Sequence, residues 1–524
     1  MVASGRRPLA LVAIATLLLV VLAGGCASDG ATATKPSPLR IAFAEPIGVL
    51  DPQAFTGHFI ALDMVYEPLV EYGPGGELRP GLATSWTVAP DGLSVAFHLR
   101  QGVRFQDGTA FDAAAVAWNF ARWVGQPDFG FFRASTAIQD VEVVDPATVT
   151  LHLSEPYAPL LTELSISRPV RMLSPASGAA DGTFRQPVGT GPWRLESATD
   201  SGGVLVRNDD YWGPRPSVER VEVSVIPDSQ TRVAALRSGQ VDLLGGAYMA
   251  PISNVEATSL RDAGIDVAAG EPDTTLLLGF NRGGIAGDQA VRRAISLATD
   301  VAGINRVLYG GASGGAGGLF PPSIKDAGAP AAHTFDLDAA AAALDDAGWV
   351  TSGGARRKGD TDLSLRLLLL GDAAHGQQDS TITGEALADA LAGIGVHVSI
   401  DVRDGAAYFD ALSRGEYDLA FFTTYGAPYD PSSSVTAFLH TGGGEAPIWN
   451  DEQLDRLVDA ALFAHGEAAT TAAYQSIFDH LADLDAFVPI THPPRFYATG
   501  PGVHGFDLPA TEYDLPLATV TVER

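Results

Sequence analysis

One cysteine, Cys26, stands in a chain of 524 residues. No intrachain disulfide is possible, so any fold this chain adopts rests on its apolar core. Length sets the next bound. Single cores stop growing near about 250–300 residues, so a chain of this size divides into more than one lobe. Hydrophobic residues make up 46% of it, enough to fill such cores.

The cysteine also has a telling position. Arg6 and Arg7 precede an uncharged run from Leu9 to Ala23, and Gly24-Gly25 lead directly into Cys26. A positive start, a short apolar stretch and small residues before a cut make a secretory signal peptide over residues 1–25. The run is shorter than the roughly 20 residues that span a bilayer. A cysteine directly after small residues resembles the bacterial lipobox. This resemblance implies a lipidated Cys26 as the mature N-terminus, anchored to the membrane and facing outside the cytoplasm. The usual Leu, Val or Ile three residues before the cysteine is here Ala23. Residues 26–38 (CASDGATATKPSP) read as a flexible tether.

The formal charge is −29, and removing residues 1–25 takes away two arginines and no acid, leaving −31. Such a surface suits neither nucleic acid nor anionic lipid. The acidity reads chiefly as a source of solubility. From Leu39 onward, strand-like and helix-like segments interleave, the pattern of mixed α/β lobes. Leu39–Ala44, Val95–Leu99, Val149–Leu153, Val241–Leu244, Val396–Val402 and Tyr417–Thr423 read as strands. Asp112 and Asp228 are suited to cap the helices that follow them. Further helices are expected over Gln289–Thr299, Asp338–Ala347, Gly384–Ala392, Glu452–Ala464 and Ala468–Leu484. The glycine-rich stretch 310–318 lacks the Gly-Lys-Ser/Thr of a phosphate-binding loop and reads as surface. Eleven histidines are scattered without an HExxH pattern. With no catalytic constellation identified, the chain reads as a binder and not an enzyme.

Several segments are more specific than composition. Asp63–Val70 (DMVYEPLV), Pro80–Trp86 (PGLATSW), Phe97–Arg100, Val103–Phe105, Phe111–Ala113, Pro187–Trp193 (PVGTGPW), Tyr211–Gly213, Val225–Asp228, Gly239–Asp242, Val291–Ile295 and Gly426–Pro431 occur in order. Together they resemble the peptide/nickel class of solute-binding proteins that serve ABC importers, family 5 of the bacterial extracellular solute-binding proteins. The resemblance implies an α/β, two-lobed periplasmic-binding-protein clamshell. Lobe I would cover 39–273 with an extra subdomain at about 88–186, lobe II 274–490, and residues 491–524 would return to lobe I. Partners would be an ABC permease and its ATPase, with the binding protein a monomer.

Within the class, Ser167–Arg171 (SRPVR) and Thr424–Pro431 (TYGAPYDP) resemble the nickel-type branch. That likeness implies a metal chelate as cargo rather than a cofactor. Arg168 would grip a chelator carboxylate, Tyr425 and Tyr429 would form an aromatic wall, and His440 falls where the branch places a metal-touching histidine. The branch's second cleft arginine and its tryptophan align with Asp128 and Phe131, with Arg133 close by as a possible substitute. The bland readings stand beside these: Arg168 neutralising a local acid, Tyr425 as core, His440 as a structural histidine. The alternative cargo is a di- or oligopeptide, whose amino terminus would need an acid.

Overall fold

The computed structural model describes residues 37–524 except 55, 131, 179–182, 311–312, 314, 330, 372–376 and 443–447. Cys26, the signal peptide expected over residues 1–25, most of the expected tether and Phe131 therefore lie outside the described residues. Two large sheets organise the rest. The first has seven strands in the order Asp266–Gly270, Arg495–Thr499, Leu243–Gly245, Leu39–Phe43, Arg220–Val225, Gly202–Arg207, Trp193–Thr199. The second has five, in the order His397–Arg403, Ser364–Leu370, Leu419–Thr423, Leu276–Phe280, Phe487–Thr491.

Composition explains which strands are central. Leu39–Phe43 pairs in parallel with both neighbours, and Leu39, Ile41, Ala42 and Phe43 have no exposed surface. A strand covered on both faces needs a continuous apolar run. Leu276–Phe280 (LLLGF) plays the same part in the second sheet, buried at all five positions. A third sheet of four strands, Ala83–Val88, Ser94–Leu99, Thr148–Leu153 and Ile138–Asp145, is antiparallel. Its strand Thr148–Leu153 alternates buried and part-buried positions, as a sheet with one wet face requires.

Helix starts follow their caps. Asp112 accepts the Ala115 N–H at 2.9 Å, and Asp228 accepts the Thr231 N–H at 2.8 Å. The helix expected from Gly384 begins earlier, spanning Gln377–Gly393, and the strand expected over Val241–Leu244 is Leu243–Gly245. No helix among the described residues is long and apolar enough to cross a membrane.

The chain passes between the large sheets twice, through residues 271–275 and 492–494. The crossings are tied to each other. Thr275 Oγ1 lies 3.0 Å from His492 Nδ1, and Arg495 Nη1 lies 3.4 Å from Asp273 Oδ2. The apolar core under the first sheet is separate, whereas that of the four-stranded sheet runs on into the second large sheet. At this seam the Ala158 N–H donates to the Leu462 carbonyl at 2.9 Å, and Tyr157 packs near Phe463.

Candidate functional site

The Ser167–Arg171 segment follows the short helix Leu160–Glu163, and its two arginines have different fates. Arg171 is buried and bound within the protein: Asp63 Oδ1 is 2.7 Å from Nη2, and Nη1 donates to the Tyr66 carbonyl at 2.9 Å. Arg168 instead lays its guanidinium 3.8 Å from the centre of the Phe59 ring. Such a cation–π contact is worth about 0.5–2 kcal/mol. Burial lowers the Arg168 pKa, and the hydroxyls of Tyr429, Tyr513 and Tyr248 oppose that shift.

Those side chains form one aromatic group. Tyr513 stacks on Tyr248 at 4.7 Å and meets Phe59 and Tyr429 edge-on at 5.0 and 4.9 Å. Offset and edge-to-face arrangements at these spacings match the ring quadrupoles. The Tyr513 hydroxyl donates to the Tyr425 carbonyl at 2.7 Å. Phe59 opens the helix Phe59–Val65, Tyr248 follows a strand of the first sheet, and Tyr425 and Tyr429 follow the strand Leu419–Thr423 of the second. The site is thus assembled from elements of both large sheets. Burial pushes the Tyr429 hydroxyl up to about 12, with Arg168 pulling the other way, so it stays a neutral donor.

The structure brings Arg168 and Tyr429 together, and Tyr425 joins them through its backbone carbonyl. The Tyr425 ring itself packs against Phe438 at 5.5 Å. His440 caps the end of the helix Ser432–Leu439. Its Nδ1 accepts the Gly442 N–H at 2.9 Å, and its Nε2 faces Asp459 at 3.5 Å and Asp455 at 4.0 Å. Asp128 is exposed in a short 3₁₀ turn. Arg133 pairs with Glu155 at 3.1 Å and lies over Phe463. Sequence reasoning did not single out Phe59, Tyr248 or Tyr513, which are far apart in the chain and carry no shared motif.

Beneath the aromatic group the acids are not solvated. Asp273 and Glu512 are buried and Asp514 is half-buried near Arg495, with Asp430 buried beside Asp273, and burial raises the pKa of each acid. Reading the acidity chiefly as surface solubility therefore misses these four. Among the described residues, no group of three or more His, Cys, Asp or Glu side chains is arranged to hold a metal ion directly. A separate cavity of about 180 Å³, bounded by Gly315, Phe320, Gly328 and His492 among others, includes none of the aromatic group.

Two α/β halves joined by two short crossings, with a charged aromatic site where both contribute, define a two-lobed binding protein of the periplasmic type. Residues 77–446 match the family described as Bacterial extracellular solute-binding proteins, family 5 Middle, and the chain belongs to it. It is 30% identical over 488 residues to the nickel-binding periplasmic protein of Escherichia coli (strain K12), covering 89% of this chain and 91% of that one. Among solved structures, an ABC transporter substrate-binding protein from Sinorhizobium meliloti is 40% identical, with a TM-score of 0.79 over 93% of this chain and 100% of that one. NikA from Brucella suis in complex with Fe(III)-EDTA is 31% identical, with a TM-score of 0.85 over 93% of this chain and 100% of that one. These relatives are solute-binding transport proteins, not enzymes, and proteins of this family deliver ligands to ABC permeases.

Proposed function

We propose that this protein captures an anionic metal chelate, nickel-type, between its lobes and presents it to an ABC permease and its ATPase. The observation that carries this reading is Arg168: a half-buried guanidinium set on Phe59 and ringed by tyrosine hydroxyls from both halves. A guanidinium repels a bare metal cation and grips a carboxylate through two parallel hydrogen bonds. A metal would therefore enter wrapped in a carboxylate-bearing chelator, with Tyr429 donating a further hydrogen bond and the rings covering the chelate's apolar parts. The one chelate named for the Brucella suis relative, Fe(III)-EDTA, supports the class of cargo.

Lobe I in this proposal is 39–273 with 491–524, and lobe II is 274–490. Sheet membership supports the division, since the first large sheet draws its strands from 39–270 and 495–499 and the second from 276–491. Closure brings Tyr425 and Tyr429 to Arg168 and excludes water, which strengthens each charged contact. For His440 to touch the metal, its Nε2 would have to give up Asp459. Phe131 is retained as a candidate wall residue. Cys26, lipidated, would hold the monomer beside its permease and raise the local concentration of loaded protein.

Isothermal titration of the mature chain with nickel(II) alone, nickel(II) with L-histidine, and Fe(III)-EDTA tests the cargo. Binding of a chelate with no binding of the bare ion is the expected result. Tight binding of bare nickel, or binding of a short peptide with neither chelate bound, would overturn it.

A further inference from the structure

The stretch that follows Arg168 is buried, and residues 169–173 belong to no strand. Buried backbone groups still need partners, and here side-chain amides supply them. Gln53 Nε2 donates to the Arg171 carbonyl at 2.9 Å and to the Pro169 carbonyl at 3.3 Å. Asn119, in the helix Ala113–Phe120, takes both backbone groups of Leu173: Oδ1 accepts the N–H at 2.9 Å and Nδ2 donates to the carbonyl at 2.8 Å. Both amides are buried. Gln53 is oriented from its other end, where Oε1 accepts from Arg122 Nε at 2.8 Å. A guanidinium only donates, so the amide oxygen must face Arg122 and the amide nitrogen must face the carbonyls. Asp51 completes the anchor: it lies 3.2 Å from Arg122 Nη2 and accepts the Gln53 N–H at 3.0 Å. The chain beyond Gln53 meets Arg168 twice more. The Thr56 carbonyl is 3.5 Å from Arg168 Nη1, and the Phe59 ring carries the guanidinium. One amide thus ties the stretch that bears Arg168 to the stretch on which Arg168 rests.

We propose that Gln53 is a positioning residue for cargo capture: its amide fixes the backbone at Pro169 and Arg171 and so sets the Arg168 guanidinium over Phe59. This rests on the reading of Arg168 as the grip on a cargo carboxylate. Without the amide, two buried carbonyls lose a donor, and the stretch must shift to find another. A guanidinium holds a carboxylate by two parallel hydrogen bonds, a geometry that survives displacements of only about 0.5 Å. Gln53 therefore acts on cargo through Arg168 and not by touching it. Two substitutions isolate that action. Gln53→Met keeps nearly the same length and removes every polar atom of the amide. Gln53→Glu keeps the acceptor toward Arg122 and turns an oxygen toward the two carbonyls.

The test is a double-mutant cycle on the mature full chain, with Fe(III)-EDTA as probe. With Arg168 present, Gln53→Met should raise Kd about tenfold, the effect of one lost hydrogen bond. In an Arg168→Ala background the same substitution should change Kd by less than about twofold. A Gln53 that merely supported the fold would weaken binding equally in both backgrounds, and that result, or no loss with Arg168 present, would overturn the role. A second readout needs no cargo. Phenylglyoxal, followed by peptide mapping, should modify Arg168 about tenfold faster in ligand-free Gln53→Met than in the wild type, while the exposed Arg456 reacts at an unchanged rate. An unchanged rate at Arg168 would also overturn the role. Should Gln53→Met not fold, Gln53→Glu decides it by the same two readouts; failure of both to fold would assign the amide to folding alone and overturn the proposal. If the wild type does not bind Fe(III)-EDTA, or Arg168→Ala binds it equally well, the cargo reading fails on its own, and the modification rates still judge Gln53.

Discussion

Replacing Tyr513 by phenylalanine removes one hydroxyl and leaves the ring in place. The ring contacts with Tyr248, Phe59 and Tyr429 survive, and the second hydroxyl contact, to Tyr248 at 3.4 Å, is too long to carry much. What is lost is the 2.7 Å bond to the Tyr425 carbonyl. Tyr513 is 4% exposed, so water does not readily take the place of the missing donor. A net hydrogen bond contributes about 0.5–1.5 kcal/mol, and an orphaned buried acceptor costs about 1–3 kcal/mol. Taking about 1.5 kcal/mol gives a factor of about ten in affinity. The bond joins the C-terminal return to a loop of the second half, so its loss falls on the closed, loaded state. Isothermal titration should show cargo Kd rising about tenfold, while the urea midpoint of the ligand-free chain stays put. An affinity unchanged within about a factor of two, or an equal loss of stability without cargo, would refute the reasoning.

Burial pushes Glu163 up to about 7 from an unfolded value near 4.5. Its contribution to stability is therefore whole below pH 4.5 and is lost as pH rises through 7. Between pH 5 and 8 the wild type should lose up to about 3 kcal/mol relative to Glu163→Gln in urea unfolding; parallel pH profiles would contradict this. Gly426 has a φ of 78°, and alanine there meets Thr274, so Gly426→Ala should lower unfolding free energy by about 2 kcal/mol and weaken cargo binding. A variant as stable as the wild type would argue against the fit of that loop. Cys26→Ser should move the protein from the membrane fraction to the soluble one with cargo affinity intact; loss of binding as well would show that tether and trap are not separable.

Local signals carried much of the fold. Asp112 and Asp228 cap helices because a short acidic side chain reaches a free N–H within three residues, a feature visible in sequence. Leu39–Phe43 and Leu276–Phe280 are central strands, though only the first drew attention as an apolar run. Part of the candidate site was legible too, in that Arg168 and Tyr429, which the structure places near one another, sit in recognisable segments. The rest was not, for two physical reasons. Phe59, Tyr248 and Tyr513 become one aromatic group only through the sheet order, which brings the C-terminal return beside the first helix. Sixty-two acids also conceal which are buried. Asp430 looks like any other acid until its burial is seen. Arg171, three residues from Arg168, is taken up by Asp63, a pairing that crosses about a hundred positions and that spacing does not reveal.

Native mass spectrometry of the mature protein purified from its host, with metal analysis of the same sample, addresses the central claim most directly. The account predicts a co-purified anionic species bearing metal, present in the wild type and absent from Arg168→Glu. A metal-free peptide in the cleft, or a chelate retained in full by Arg168→Glu, would contradict it.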